Sequence, residues 1–405
     1  MALPVASRLF AFVLAVSVGA YTPSHARSED FVQGPPTSAA PPPRACKVLH
    51  LQIRGDLDSM RLAQEFAGVL DAARTDNVEV IVLELSGNRW RQDVVHAMAK
   101  AMRSGSPNAP PQALGRRVFA ILDDAADRRV GFGQASIAFL ADACAVAQGV
   151  TISHDADDDL RLTAPPDTDW ERVERELHGL VYLAAKDRGG DVMITGVLPN
   201  PRGPLWSAPA ADPGSPWRVL TSKPAEGTWI QLIPETPEGR VPSLRFDSTL
   251  ASRLGIATCD ARDTGQLLAR HGLRARPILR KELTSGLADA RARIRRTIEQ
   301  LDDVLRATEI DLKQAARLRG QDAPRQKRDA GARGLRMVEE ARRHLLDAEA
   351  LMIDYPELLA TLPPDRTPVG QDASKHPMLW RYRFQDLRDL TSELEAQAQT
   401  LTKTP

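Results

Sequence analysis

Two periods of apolar residues alternate along the first part of the chain. An alternating pattern predicts a strand at residues 48–53, an almost wholly apolar, β-branched run predicts a buried strand at 78–85, and an apolar run predicts a third strand at 118–122. Apolar residues three and four apart predict helices at residues 60–74 and 94–102. Because strands and helices follow each other in turn, the pattern predicts βαβ units. The expected fold class is therefore α/β, with a largely parallel sheet covered by helices.

The stretch 131–151, GFGQASIAFLADACAVAQGVT, begins with a glycine-spaced turn, continues at helical spacing and ends in a short apolar strand. Small residues at Gly131 and Gly133 allow the helix to approach a sheet closely. The start of a helix behind such a turn can seat a nucleophile or an oxyanion. In parallel sheets the functional crevice lies at the carboxyl ends of the strands, which here include Gly87 and Asn88.

The last third of the chain changes in composition from about residue 283, where Ala, Arg, Glu, Asp, Leu and Gln dominate. Apolar residues repeat there every seven positions in three series, with breaks expected at 317–334 and 362–377. This spacing predicts an antiparallel helical hairpin or a three-helix coiled coil. The repeating residues are Leu287, Ile294 and Leu301, then Val338, Leu345 and Met352, then Trp380, Leu387, Leu394 and Leu401.

The amino terminus has the pattern of a secretory signal over residues 1–26. Arg8 precedes an apolar run at 9–20, and the small residues near Ala26 suit cleavage. The run is short for a membrane span, with an uncleaved anchor as the alternative, and no later stretch is expected to span. We therefore expect a secreted or periplasmic protein. The expected domains are a Pro/Ala/Ser-rich linker at 27–45, an α/β domain at 46–276 and a helical domain at 283–403.

Composition narrows the function classes. The chain has 405 residues, with 53 basic and 53 acidic side chains and 5% aromatic residues. No global field therefore favours nucleic acid or an anionic membrane, and few rings are present to stack on bases. The three cysteines, Cys46, Cys144 and Cys259, are an odd number, so at least one thiol is unpaired or shared between chains, and Cys144 and Cys259 are predicted as buried small side chains rather than as a disulfide. No cysteine and histidine spacing fits zinc, and the acidic run at 154–159 lacks the glycine and glutamate of an EF-hand, so no metal or cofactor is expected.

The order of these motifs resembles the ClpP/crotonase superfamily, and it is most similar to the NfeD-type and signal-peptide-peptidase-A-type serine peptidases. The motifs are VLHLQIRGDLD, VIVLELSGN, IAFLADACAVAQGVTI, LAAKDRGGD and STLASRLGIATCDARDTGQLLARHGL, which together span roughly residues 47–273. The resemblance implies a spiral of βαβ units, a serine nucleophile at the glycine turn, a lysine base, and backbone amides as the oxyanion hole. It also implies a homo-oligomer.

Three departures from the family pattern predict loss of catalysis. Counting ten residues back from Asp142 places Phe132 where the resemblance implies the serine, and a phenyl ring offers no nucleophile. The segment 169–183 contains no lysine, and arginine cannot accept a proton there. The glycine pair of the oxyanion hole reads Gly87-Asn88. The sequence therefore predicts an inactive relative that binds a peptide or protein partner in the cell envelope.

Two active alternatives stay open. Ser136 and His154 resemble the nucleophile and base of the Clp protease at shifted spacing, with Asp155 or Asp157 as the orienting group, which would make an active serine endopeptidase. A crotonase-type acyl-thioester enzyme would need only the two backbone amides, but no adenine-pocket motif is present.

Several other residues are expected to be structural. His96 is predicted as an ordinary helix residue. The segment Arg89, Trp90 and Arg91 lies beside the predicted cleft and could hold a peptide carboxylate, although a structural role is favoured. The basic run at 291–296 is predicted as a solvated helix face.

Overall fold

The computed structural model describes residues 43–103, 117–124, 126–155, 160, 168–187, 204–211, 215–234, 243–258, 261, 263–358 and 376–404, and in the last range side chains from 384 onward. The predicted signal segment and most of the predicted linker lie outside these residues, as do Asp157 and Cys259. No helix among the described residues combines the length and apolarity that a membrane crossing requires.

Five parallel strands form the central sheet, in the order β11-β1-β2-β3-β5. The predicted class, an α/β fold with a parallel central sheet followed by a helical carboxy-terminal region, is confirmed. The elements of this part of the chain are β1 (Arg44–Arg54), α1 (Met60–Thr75), β2 (Val80–Leu85), α2 (Gln92–Arg103), β3 (Arg117–Leu122), β4 (Arg129–Gly131), α3 (Phe132–Phe139), β5 (Ala143–Val146) and β6 (Thr151–His154).

The rest of the α/β region adds one long helix, two short ones and strands of two smaller sheets, with the orders β10-β6-β4 and β8-β7-β9. These elements are α4 (Trp170–Asp187), β7 (Leu205–Ala208), β8 (Arg218–Leu220), β9 (Ile230–Ile233), β10 (Leu244–Asp247), α5 (Ser248–Arg253), α6 (Thr264–Arg270) and β11 (Leu273–Thr284).

Alternate residues of the central strands bury on opposite faces, as strand geometry requires. Leu51 and Leu83 belong to the large core shared with α1 and α2, whereas Val48 and Val82 belong to a smaller core closed by α6. Both faces are therefore covered over the first halves of the strands, which explains why the sequence shows unbroken apolar runs.

Strand β11 is a finding that the apolar pattern did not indicate. It pairs in parallel with β1 and forms one edge of the sheet, with a register irregularity between Cys46 and Val48. Most of its side chains are exposed, and it contains Pro277. Charged residues and proline at a sheet edge prevent pairing with other chains, and they also erase the alternation by which a strand is recognised. Residue 276, the expected domain end, lies inside this strand.

Three long helices form the carboxy-terminal bundle: α7 (Leu287–Ala316), α8 (Ala323–Asp354) and α9 (His376–Thr402). The predicted seven-residue series are confirmed as the buried seam, apart from Trp380, whose side chain is outside the described set. The break expected at 317–334 is wrong beyond residue 322, because α8 begins at Ala323. Glycines at 331 and 334, which normally weaken a helix, lie where α8 meets its neighbours: a Cβ on Gly331 would be 2.6 Å from Ala398 O.

A buried ion pair joins the bundle to the α/β region. Arg91 and Glu357, both with fully buried side chains, approach to 3.0 Å between Nη2 and Oε1. The same Glu357 oxygen accepts the backbone N–H of Met60, in the first turn of α1, at 2.8 Å. Arg61 adds an exposed pair with Asp354 at 3.0 Å. The segment that follows α8 is thereby fixed beside the carboxyl ends of β1 and β2.

Candidate functional site

The loops that follow β1 and β2 close on each other at the carboxyl edge of the sheet. Leu57 and Trp90 form a parallel bridge, in which Leu57 N–H donates to Arg89 O at 3.0 Å and Arg91 N–H donates to Leu57 O at 2.9 Å. Gln134, fully buried, donates from Nε2 to the carbonyl of Arg89 at 3.4 Å. Hydrogen bonds therefore occupy the space in which a crevice was expected.

Gly87 lies where two backbones touch. Its φ is +93°, and a Cβ there would be 2.2 Å from Gly55 O, so only glycine fits. Its carbonyl accepts the N–H of Gly131 at 2.9 Å. A Cβ on Gly131 would meet Asn88 O at 2.2 Å. The predicted cleft residues Gly87, Asn88 and Gly131 are therefore brought together, but in direct backbone contact.

The amide of Gly87 has an acidic partner. Its N–H donates to Asp124 Oδ2 at 3.2 Å, while Asp124 Oδ1 accepts the N–H groups of Ala126 and Asp127 at 3.0 Å. The resemblance implied that this amide would stabilise an oxyanion. A carboxylate of the chain itself holds that amide, so a substrate oxygen could use it only after displacing Asp124. Asp124 was not among the predicted site residues, because its approach to Gly87 depends on the position of the loop after β3.

Phe132, at the start of α3, is fully buried. Its ring centroid lies 5.6 Å from that of His154 and 5.3 Å from that of Phe246. Trp90 completes this aromatic cluster, with its ring 6.0 Å from His154. Gly133 lies directly beneath Trp90, because a Cβ there would be 2.5 Å from Trp90 Cβ. The expected nucleophile position is filled by packed rings.

Ser136 and His154, the alternative nucleophile and base, are both buried, with 0% and 3% of their surface exposed. The Ser136 hydroxyl donates to the carbonyl of Phe132, one helical turn back, at 2.8 Å. The hydroxyl proton of Ser136 is therefore used in a hydrogen bond within α3. Asp155, the proposed orienting group, pairs with Arg129 at 2.5 Å. An activated serine would donate its hydroxyl proton to the base, and the base would be oriented by the acidic residue. Neither of these two contacts has that form.

The helix expected to carry a base is α4. Its residues Arg172, Arg175 and His178 are exposed on the outer surface. His96 of α2 approaches Glu176 of this helix at 2.9 Å, and burial is the largest of the effects that lower the pKa of its imidazole. His96 therefore has a structural contact between helices, as expected.

The three residues after Asn88, which were predicted to lie beside the cleft, each contact a different part of the protein. Trp90 belongs to the aromatic cluster, and Arg91 is bound to Glu357 of the bundle. Arg89 is half-exposed, with Nη1 3.9 Å from Asp56 Oδ2. Burial raises the pKa of Asp56, against the lowering effect of Arg89. The possible carboxylate partner of Arg91 is thus a side chain of this same protein, 266 residues away in sequence.

Cavities occur elsewhere on the sheet. One of about 820 Å³ lies at the amino edge beside Arg44 and His271, and one of about 610 Å³ lies beside α6, above His50 and Glu84. Neither is lined by residues of the α3 turn. Within the described part of the chain, no group of three His, Cys, Asp or Glu side chains is placed to hold a metal ion. Cys46 and Cys144 are buried free thiols, as predicted for Cys144.

Comparisons with known proteins find no matching protein-family model and no matching curated protein. Among solved structures, a 1510-N membrane protease specific for a stomatin homolog from Pyrococcus horikoshii is 13% identical, with 59% of this chain and 92% of that chain covered and a TM-score of 0.34. A variant of the 1510-N membrane-bound stomatin-specific protease, in complex with a substrate peptide, has the same identity and coverage and a TM-score of 0.35. A TM-score this low does not assign this chain a family or an activity.

Proposed function

We propose that this chain is an exported, non-catalytic protein of the ClpP/crotonase type, which acts by binding a peptide or protein partner in the cell envelope. The observation that carries the proposal is the state of the α3 turn. Phe132 lies fully buried at the expected nucleophile position, and Asp124 accepts the Gly87 N–H that would polarise a substrate carbonyl. Nucleophile and oxyanion donor are thus both replaced by packing and by internal hydrogen bonds.

The active alternative, an endopeptidase that uses Ser136 and His154, makes an opposite prediction. Attack by Ser136 would require its hydroxyl to leave Phe132 O and rotate out of a fully buried position.

A single experiment separates the two. The purified full chain is treated with a fluorophosphonate and with a β-lactone probe, and its intact mass is measured. We expect no adduct on this chain. An active serine peptidase treated in parallel is the positive control and should be fully labelled. An adduct that disappears in Ser136→Ala, while Ser153→Ala retains it, would overturn the proposal, because Ser153 is an equally buried serine on β6.

Binding is assigned to surfaces outside the α3 turn, because the residues of that turn are buried and neither cavity described above is lined by them. Crosslinking of the chain in intact cells, followed by mass spectrometry of the captured proteins, tests for an envelope partner. Recovery of the same partner with Phe132→Leu, which leaves the surface unchanged, is expected. Capture of cytoplasmic proteins alone would contradict the proposal.

Export and self-association are tested separately. We propose that residues 1–26 are removed and that the mature chain forms a homo-oligomer. Amino-terminal sequencing of the protein recovered from cells is expected to begin at residue 27. Light scattering of the purified protein is expected to give a multiple of the monomer mass. A monomer at micromolar concentration would remove the oligomer from the proposal without affecting the absence of catalysis.

A further inference from the structure

The α7–α8 turn carries a concentrated positive charge in a chain that has none overall. Residues 313–336 contain eight basic and two acidic side chains, whereas the whole chain has 53 of each. We call this segment, where α7 ends and α8 begins, the basic tip. Its unpaired basic residues are Arg317, Arg319, Arg325, Lys327, Arg328 and Arg336.

The bundle holds the basic tip far from the α/β region. Tyr355, at the opposite end of α8, contacts Gly286 beside the buried Arg91–Glu357 pair. The 30 residues of α7 separate that junction from the tip, which is about 45 Å at the rise of an α-helix. The tip therefore lies at the end of α7 opposite the junction with the α/β region.

Most of the tip's cations have no internal partner. Arg333 pairs with Asp311, and Lys313 pairs with Glu309. The ion pairs among the described residues include none of the six residues that define the unpaired set. Five of the six are exposed and Lys327 is half-buried. The charge is therefore available to an external anion.

The distribution of these cations is not explained by helix stability. Cations near the end of α7 agree with its dipole, but Arg325 lies in the first turn of α8, where the dipole disfavours a cation, and Lys327 and Arg328 follow in the second turn. The first turn of α8 contains no acidic residue. A positive cluster kept at an unfavourable helix end indicates a binding role.

An apolar side chain lies at the apex of this cluster. Leu318, between Arg317 and Arg319, has 36% of its surface exposed. The segment 313–336 contains no aromatic residue that could stack on bases. Basic side chains around an exposed leucine match the headgroup and acyl-chain boundary of an anionic bilayer better than they match a nucleic acid.

We propose that the basic tip binds the surface of an anionic phospholipid membrane, with Leu318 inserted between headgroups, and that the bundle holds the α/β region away from that surface. The binding is peripheral and electrostatic. It is independent of the proposed lack of catalysis.

The test is co-sedimentation of the full chain with vesicles of phosphatidylcholine alone and with vesicles containing one third phosphatidylglycerol, in 0.1 M NaCl. We expect binding that depends on phosphatidylglycerol and is lost in 0.5 M NaCl, because salt screens surface charge. Every variant shares residues 1–42, so the difference between the two lipid compositions isolates the electrostatic part.

The test variant is Arg319→Gln/Arg325→Gln/Arg328→Gln. Each basic residue near an anionic surface strengthens binding by a factor of about five, so the triple variant is expected to bind about a hundredfold more weakly. The matched control is Arg293→Gln/Arg295→Gln/Arg296→Gln, three exposed arginines at the other end of α7, and its binding should change less than about threefold.

Two further variants separate charge from shape. Arg319→Lys/Arg325→Lys/Arg328→Lys is expected to bind as the native chain does, and Leu318→Ser is expected to bind more weakly but to keep its preference for phosphatidylglycerol. Circular dichroism confirms that each variant is helical. Equal loss in both arginine-to-glutamine variants, unchanged binding of the tip variant, or tighter tip-dependent binding to single-stranded RNA than to vesicles would overturn the proposal.

Discussion

Phe132 lies at the turn before α3 with none of its surface exposed, between the rings of His154 and Phe246. Phe132→Ser removes the ring from a packed core, and we expect the free energy of unfolding to fall by about 3 to 5 kcal/mol. The new hydroxyl would still lack a lysine base, and Gly87 N–H would still donate to Asp124. Chemical denaturation and a fluorogenic peptide assay check both expectations.

Phe132→Leu serves as the control for this prediction. It keeps an apolar side chain, so a loss below about 2 kcal/mol and no activity are expected. Peptide hydrolysis by Phe132→Ser would show that the α3 turn retains working oxyanion donors, contrary to the geometry found for Gly87.

His271 gives a pH dependence with a defined sign. Its ring stacks on Phe119 at 4.5 Å, and burial lowers its pKa, with help from Arg117 and against the effect of Asp142. The folded state therefore binds the proton less readily than the unfolded state. This contribution to stability is present above the unfolded pKa of about 6.5 and is lost as pH falls through the folded value.

We expect urea denaturation between pH 7.5 and pH 5 to show falling stability, and His271→Phe to reduce that fall. His178→Gln, at an exposed position on α4, should leave the slope as it is. A slope identical in His271→Phe and in the native chain would remove His271 as its source.

At the scale of single residues, the sequence located the aromatic side chain at the nucleophile position but not the partners that complete the site. Phe132 could be found because the glycine turn and Asp142 are close to it along the chain. Asp124 and Glu357 could not be found, because their contacts join segments 37 and 266 residues apart in sequence. Spacing along the chain carries no information on such contacts.

Among the secondary-structure elements, α8 and α9 approach each other closely at Gly331. A Cβ at this position would lie 2.6 Å from Ala398 O and 2.8 Å from Thr402 N, both backbone atoms that cannot move independently. We therefore expect Gly331→Ala to lower the free energy of unfolding by about 1 to 3 kcal/mol, despite alanine's higher helix propensity. Denaturation followed by circular dichroism measures the change.

Gly68→Ala, in the middle of α1, is the matched control. No atom lies within 4 Å of its added Cβ, so this substitution is expected to stabilise the protein by about 0.5 to 1 kcal/mol. Stabilisation by both substitutions would mean that α8 and α9 are farther apart than described.

The elements also differ in how far their sequence predicted them. The bundle was predictable because its buried residues repeat every seven positions on helices of 27 to 32 residues. β11 was not, because only Leu283 among its twelve residues is buried. The start of α8 was predicted too late along the chain. Gly331 and Gly334 lie inside this helix at places where it packs closely against other helices, and the apolar pattern of one helix carries no information on such packing.

For the whole molecule, Glu357 is the residue on which the attachment of the bundle depends. Glu357→Gln removes the charge that balances fully buried Arg91, and Asp93 at 2.6 Å is then its remaining carboxylate. We expect a loss of about 2 kcal/mol, since Arg91 keeps Asp93 but loses the charge of its second buried partner. Asp354→Asn, in the exposed pair with Arg61, should cost less than about 1 kcal/mol.

Thermal denaturation and limited proteolysis of Glu357→Gln are expected to show the two regions melting separately. A single transition at the native temperature would mean that the apolar contacts of the junction suffice without the ion pair. The order of regions along the chain could be predicted from composition, whereas this junction could not, since it depends on one acidic residue in a segment without a periodic pattern.

The position of β1 between β2 and β11 has a consequence for biosynthesis. The first strand of the described residues acquires its outer neighbour only after residue 284, so its pairing is highly non-local. Until then one side of β1 lacks the partner strand that it has in the described fold, and the nascent chain is held short of its native state through most of its translation. Such a delay agrees with the export proposed above, in which the chain would pass a translocation channel before it folds.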